Sequence, residues 1–162
     1  MAQVAMPADA RQGAAGLARL IALLVPLGLL GGALGSQYIG GLYPCEMCHW
    51  QRWPHAAAIL LAGAAFVVPG RARLLTALAA LAIAISGAIG VFHAGVELGW
   101  WQGLTRCTAG GAMTLDELLN VPLVRCDQVP WSLFGISMAG WNAIISLGSA
   151  AVITFLLARR RP

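Results

Sequence analysis

Leu74 to Val96 reads LLTALAALAIAISGAIGVFHAGV, 23 residues without a charge, and about 20 such residues at the helical rise of 1.5 Å cross a bilayer core. Three more uncharged runs share the chain: Leu20 to Cys45, Trp53 to Gly70, and Gln128 to Ala158. A mean hydropathy of +0.78, with 59% hydrophobic and 10% charged residues, excludes a water-soluble globule. The runs are rich in Ala, Leu, Ile and Gly and lack the alternating polarity of a barrel strand, so the backbone must satisfy itself in helices. The expected fold is an all-α membrane protein: a four-transmembrane-helix bundle with spans near 18–38, 50–68, 74–96 and 131–157. A long periplasmic loop, 97–130, would separate helices three and four, and 1–162 forms a single membrane domain.

The net charge of +4 comes from ten arginines, and their placement argues topology, not nucleic-acid binding. Arg11, Arg19, Arg71, Arg73, Arg159, Arg160 and Arg161 fall on one side of four spans; Arg52, Arg106 and Arg125 fall on the other. By the positive-inside rule both termini are expected in the cytoplasm. Trp50, Trp53, Trp100, Trp101, Trp131, Tyr38 and Tyr43 mark the outer interface. Residues 1–16 read as a short cytoplasmic tail. The rival is a signal peptide cut after Ala33-Leu34-Gly35. The glycines around Pro26 in helix one read as packing or a kink.

All four cysteines, Cys45, Cys48, Cys107 and Cys126, then lie on the outer, oxidising side. Two of them sit in PCEMCHWQR, Pro44 to Arg52, where helix two begins. Cys-x-x-Cys-His is also the spacing of covalent haem attachment, but a haem needs a second ligand or a pocket and leaves Cys107 and Cys126 unused. A zinc site lacks its second short-spaced pair, since 18 residues separate Cys107 from Cys126. Structural disulfides explain the loop pair well and Cys45-x-x-Cys48 badly, because that short ring is characteristic of reactive pairs. Redox chemistry accounts for more. Cys48 near a helix N-terminus is favoured as thiolate, and helical spacing puts Arg52 and then His55 one turn further along the same face. A guanidinium at that depth needs a partner, which a thiolate, the oxygen of a quinone or a lipid headgroup would supply.

Thr114-Leu115-Asp116-Glu117 reads as a capping box opening a short helix in the loop. Pro130-Trp131 is expected to open helix four, whose Ser137, Asn142, Ser146 and Ser149 suit interhelical hydrogen bonds.

PCEMCHWQR, HAGVELGWW (His93 to Trp101), Arg106-Cys107, VRCDQVPW (Val124 to Trp131) and SMAGWN (Ser137 to Asn142), in that order on four helices, resemble the DsbB family of quinone-dependent disulfide-forming membrane proteins. The resemblance covers about Tyr43 to Ser146. It implies a thiol:quinone oxidoreductase of the bacterial inner membrane that reoxidises a periplasmic thioredoxin-fold partner of DsbA type. It also implies that Cys45 and Cys48 are the redox pair, that Cys107 and Cys126 are the loop pair, and that Arg52 and His93 contact a quinone, ubiquinone first among candidates. No metal and no nucleic acid enter this reading. His49 has no role in the family chemistry, and the segment between Cys107 and Cys126 is short by the standard of the best-known members.

Overall fold

The computed structural model describes residues 8–104 and 124–159. Four α-helices account for most of them: α1 Ala8–Tyr38, α2 Glu46–Val67, α3 Ala72–Glu97 and α4 Met138–Ala158. Three segments are long and apolar enough to cross a membrane, Gln12–Tyr38, Pro69–Glu97 and Met138–Ala158. The protein is an all-α membrane protein. α2 is absent from that set because its first turns carry Glu46, His49, Gln51, Arg52 and His55, and those residues build the site.

The helices run alternately up and down. α1 and α3 each pack against both α2 and α4, and touch one another much less. Close approach comes from small residues, as expected where lipid supplies no hydrophobic drive between helices. Ala18 and Ala22 of α1, Ala58 and Ala62 of α2, and Ala79, Ala80 and Ile83 of α3 form one buried cluster with Ala150, Ile153 and Leu157 of α4. At Gly87 and Gly90 of α3 an added Cβ would lie 2.9 Å from Leu147 and 3.0 Å from the Ala139 carbonyl, so α3 and α4 meet where no side chain intervenes. At the end where α1 begins and α4 ends, Arg73 donates to the Leu157 carbonyl at 3.5 Å, in the last turn of α4.

Two boundaries differ from expectation. Residues 8–16, expected as tail, continue helix α1, because Ala-rich sequence propagates a helix once a packed turn exists. Helix four, expected from Trp131, begins at Met138 with Ser137 as its N-cap, accepting from the Gly140 N–H at 3.1 Å. Between them lies a small hairpin, β1 Ser132–Leu133 paired with β2 Ile136–Ser137. Phe134 and Gly135 take φ of 52° and 76° at its tip, the two positive values of a type I′ turn, which Gly favours. Trp141 Nε1 donates to the Leu133 carbonyl at 3.2 Å and ties the hairpin to α4. The Thr114–Glu117 capping box and Cys107 lie outside the described residues.

After α3 the chain turns at Gly99 (φ 72°) and folds Trp101 back onto the helix. Its ring stacks on Phe92 at 5.7 Å and 14°, and Nε1 donates to the Phe92 carbonyl at 2.9 Å. Gly95 makes room: a Cβ there would come within 2.1 Å of the Trp101 ring. Gly95→Ala should therefore expel Trp101 and cost about 1–3 kcal/mol, the usual range for overpacking. Gly63→Ala, in open space, should stabilise slightly, as Ala is the better helix former. Thermal unfolding in detergent, with tryptophan emission as probe, checks both.

Candidate functional site

Cys45 lies just before α2 with extended backbone (φ −76°, ψ 174°), and its sulfur accepts the Cys48 N–H at 3.3 Å. A cysteine thus does the N-capping job that Ser or Asp usually does. The cap brings the next thiol of the motif around one helical turn, so Cys45 Sγ stands 2.9 Å from Cys48 Sγ and donates to it. That donation, followed by burial, pushes the Cys45 thiol well above the usual range. Within the pair Cys45 is the donor and Cys48 the acceptor. Cys48 holds the position for a thiolate, in the first turn of a helix whose N–H groups point at it.

From α3, His93 places Nε2 3.5 Å from Cys45 Sγ and 3.8 Å from Glu97 Oε1. Its Nδ1 lies 2.9 Å from Gln51 Nε2. Glu97 in turn accepts from Ser137 Oγ, which joins the end of α3 to the start of α4. Cys126 reaches the same place from the segment before the hairpin: Cys45, Met47, Val96 and Cys126 form one buried cluster with Cys48, Phe92 and Val124 packed against it. Beside it Arg125 pairs with Asp127 at 2.5 Å, and the hydrogen bonds from that guanidinium hold the Asp127 carboxyl below the usual range.

Deeper in the bundle the polar side chains form a continuous network. Asn142 of α4 donates to Gln51 Oε1 at 2.7 Å and to the Ser86 carbonyl at 3.2 Å, while its Oδ1 accepts from Ser146 Oγ at 2.9 Å and meets His55 Nε2 at 2.9 Å. Ser86 Oγ donates to the Gln51 carbonyl at 2.8 Å and lies 3.0 Å from His55 Nε2. Three helices meet on one asparagine. Such groups persist in an apolar bundle because each satisfies another.

A cavity of about 890 Å³ opens beside the thiols. Leu29, Leu30 and Ala33 of α1 give it an apolar wall, and Cys48, Arg52, His55, His93 and Asn142 give it polar points. Arg52 does not lean on Cys48. It reaches across to α1, donating to Gln37 Oε1 at 2.5 Å and to the Ala33 carbonyl at 3.1 Å, with Nε buried and without a partner among the described residues. The expected face of thiol, cation and imidazole is thus one cavity wall, all on α2, but Arg52 is tied to α1 and His55 to α3 and α4.

Of the residues singled out in the sequence, Cys45, Cys48, Cys126, Arg52 and His93 come together; Cys107 lies outside the described residues. His49 is exposed, and the histidine that meets the thiols is His93. Gln51 was missed, although a polar residue three positions after Cys48 and facing inward on a span is a signal for a buried partner. Cys45, Cys48 and His93 also offer three atoms within 4.8 Å of one another, enough for a metal. Ligation would require a lone pair on His93 Nε2.

A close, asymmetric dithiol is built to trade two electrons for a disulfide, and its setting among apolar helices makes this a membrane thiol oxidoreductase of the disulfide-forming kind. The family model for Disulfide bond formation protein DsbB matches residues 15–156, and the chain belongs to that family. It is 32% identical over 158 residues to Disulfide bond formation protein B of Shewanella loihica, covering 90% of this chain and 91% of that one. It is 29% identical over 154 residues to the protein of that name from Polaromonas sp., covering 87% and 90%. Disulfide bond formation protein B 2 of Pseudomonas entomophila is 29% identical over 153 residues, covering 87% and 90%. No solved structure matches the chain.

Proposed function

We propose that the chain is a four-span thiol:quinone oxidoreductase of the bacterial inner membrane, which reoxidises a periplasmic DsbA-type dithiol protein and passes the electrons to ubiquinone. The observation that carries this reading is the position of Cys48 between a second thiol and a ligand-sized cavity. α2 is the fourth span, matched in length to its neighbours, and the arginine distribution supports cytoplasmic termini and a periplasmic 97–130 segment.

The cavity suits a quinone. Its volume lies in the range of small-molecule sites, its wall is apolar enough for a substituted ring, and the unpartnered Arg52 Nε offers a donor for a ring carbonyl. Arg52 and His93 would hold the group, which supplies a two-electron acceptor. The protein's own residues do the rest. The partner's thiolate attacks Cys107 of a Cys107–Cys126 disulfide, forming a mixed disulfide and releasing the Cys126 thiolate. Cys126, packed in the Cys45 cluster, attacks Cys45 of the Cys45–Cys48 disulfide and expels the Cys48 thiolate. The partner's second thiol then attacks its own bridged sulfur and frees Cys107, which attacks Cys126, restores the loop disulfide and releases Cys45. The dithiol Cys45–Cys48 now carries the electron pair, and its loss to the acceptor with two protons closes the disulfide again.

The test mixes the full-length protein with reduced DsbA-type protein and a ubiquinone analogue. One quinone should be consumed per partner dithiol oxidised, and dithiol oxidation that proceeds unchanged without quinone would overturn the reading. Arg52→His removes the fork that spans Gln37, Ala33 and the cavity. It should raise the quinone KM about tenfold and leave kcat within about threefold, the signature of lost ground-state binding.

A further inference from the structure

The geometry points to Gln51 as a positioning residue that holds His93 in its Nε2–H form, so that His93 serves Cys45 as a hydrogen-bond donor and not as a base. The Met47 carbonyl only accepts, so the Gln51 atom 3.1 Å from it is the amide nitrogen. The same nitrogen lies 2.9 Å from His93 Nδ1. An NH₂ group can make that contact only with a lone pair, so Nδ1 carries no hydrogen. A neutral imidazole then has its hydrogen on Nε2.

The orientation of Gln51 is secured twice. Its Oε1 accepts from Asn142 Nδ2 at 2.7 Å, and Asn142 cannot turn because its Oδ1 accepts from Ser146 Oγ at 2.9 Å while its nitrogen faces the Ser86 carbonyl at 3.2 Å. Turning either amide would set oxygen against oxygen. The network running through α2, α3 and α4 therefore ends in one defined hydrogen, on His93 Nε2, 3.5 Å from Cys45 Sγ.

With that hydrogen in place, Cys45 Sγ faces two N–H groups, the Cys48 backbone at 3.3 Å and His93 Nε2 at 3.5 Å, the second shared with the Cys126 backbone, to which His93 also hydrogen-bonds, and with Glu97 Oε1 at 3.8 Å. While Cys48 is a thiolate, Cys45 keeps its proton and donates a hydrogen bond to Cys48. Once Cys48 sulfur is bonded elsewhere, that acceptor is gone and the two N–H groups remain to stabilise a thiolate on Cys45. No proton moves to or from His93; it lends a hydrogen bond whenever the charge passes to Cys45. The same tautomer makes the Cys45, Cys48 and His93 trio a poor metal site, since the ring atom facing the sulfurs has no lone pair to give.

This inference rests on the dithiol chemistry proposed above but not on the quinone, and it can be tested without one. Histidine ¹⁵N NMR of the full-length reduced protein in detergent should show His93 as the Nε2–H tautomer. Gln51→Glu replaces the donor with an acceptor and should move the hydrogen to Nδ1. That leaves a lone pair facing the thiols and a carboxylate behind the ring, the arrangement that metal-bound histidines use. Zn²⁺ binding to reduced Gln51→Glu should then tighten at least about tenfold over the wild type. Gln51→Met should give both tautomers. An Nδ1–H tautomer in the wild type, which needs no variant to observe, overturns the inference, as does an unchanged tautomer in Gln51→Glu. A purely structural role for Gln51 would alter stability and leave the ¹⁵N pattern as it was.

Discussion

Cys48→Ser is expected to abolish the proposed electron transfer from a reduced DsbA-type partner to quinone, lowering the rate by about 10³-fold or more, since a hydroxyl neither forms a disulfide nor ionises near neutral pH. The geometry shows why no other cysteine substitutes. Both thiols of the pair line the cavity, but Cys48 is the less buried and accepts the hydrogen bond from Cys45, while Cys45 and Cys126 are buried. Serine is nearly the same size and occupies the first turn of α2, where hydroxyls are well tolerated, so the thermal midpoint should hardly move. Stopped-flow absorbance of the quinone reads the rate, and turnover within tenfold of wild type would remove Cys48 from the relay.

Asn142→Leu is expected to produce the largest loss of stability of any single polar substitution in the bundle. Leucine is suited to a membrane helix, so hydropathy alone would forecast a gain. The loss arises because Asn142 bonds Gln51 and Ser86 on two other helices, meets His55 and accepts from Ser146 on its own helix. Interhelical hydrogen bonds in membranes average only about 0.6 kcal/mol, since unfolded helices find other partners in the bilayer. Several lost together give about 2 kcal/mol. Unfolding titrations in mixed micelles measure it, and a variant as stable as the wild type would mean that the network is not holding the helices.

Much of this could be read from residue order. The uncharged runs define the helices, because the length of apolar sequence needed to cross a bilayer is a one-dimensional property. Cys45-x-x-Cys48 marks a reactive pair by spacing alone, and its order with His93 and the later cysteines points to the DsbB family. The start of helix four was misplaced for a local reason. Trp131 to Ser137 contains nothing that forbids a helix except Gly135, and the hairpin is favoured by a tertiary contact, Trp141 on the Leu133 carbonyl. The partners of Arg52 were also out of reach of periodicity, which assigns a residue to a face of its own helix but not to the neighbour it meets. Helical spacing sent Arg52 toward Cys48 and His55; packing sends it to Gln37 and Ala33.

The division follows from range. By itself the sequence determined that this is a helical membrane protein with a redox dithiol at the mouth of its second helix, because hydropathy, charge and a four-residue motif act within one segment. Only the tertiary structure decided what surrounds that dithiol. Gln51 and His93 are 42 positions apart, and Asn142 and Gln51 are 91 apart. A hydrogen bond between them exists only once small residues have let the helices close to contact distance.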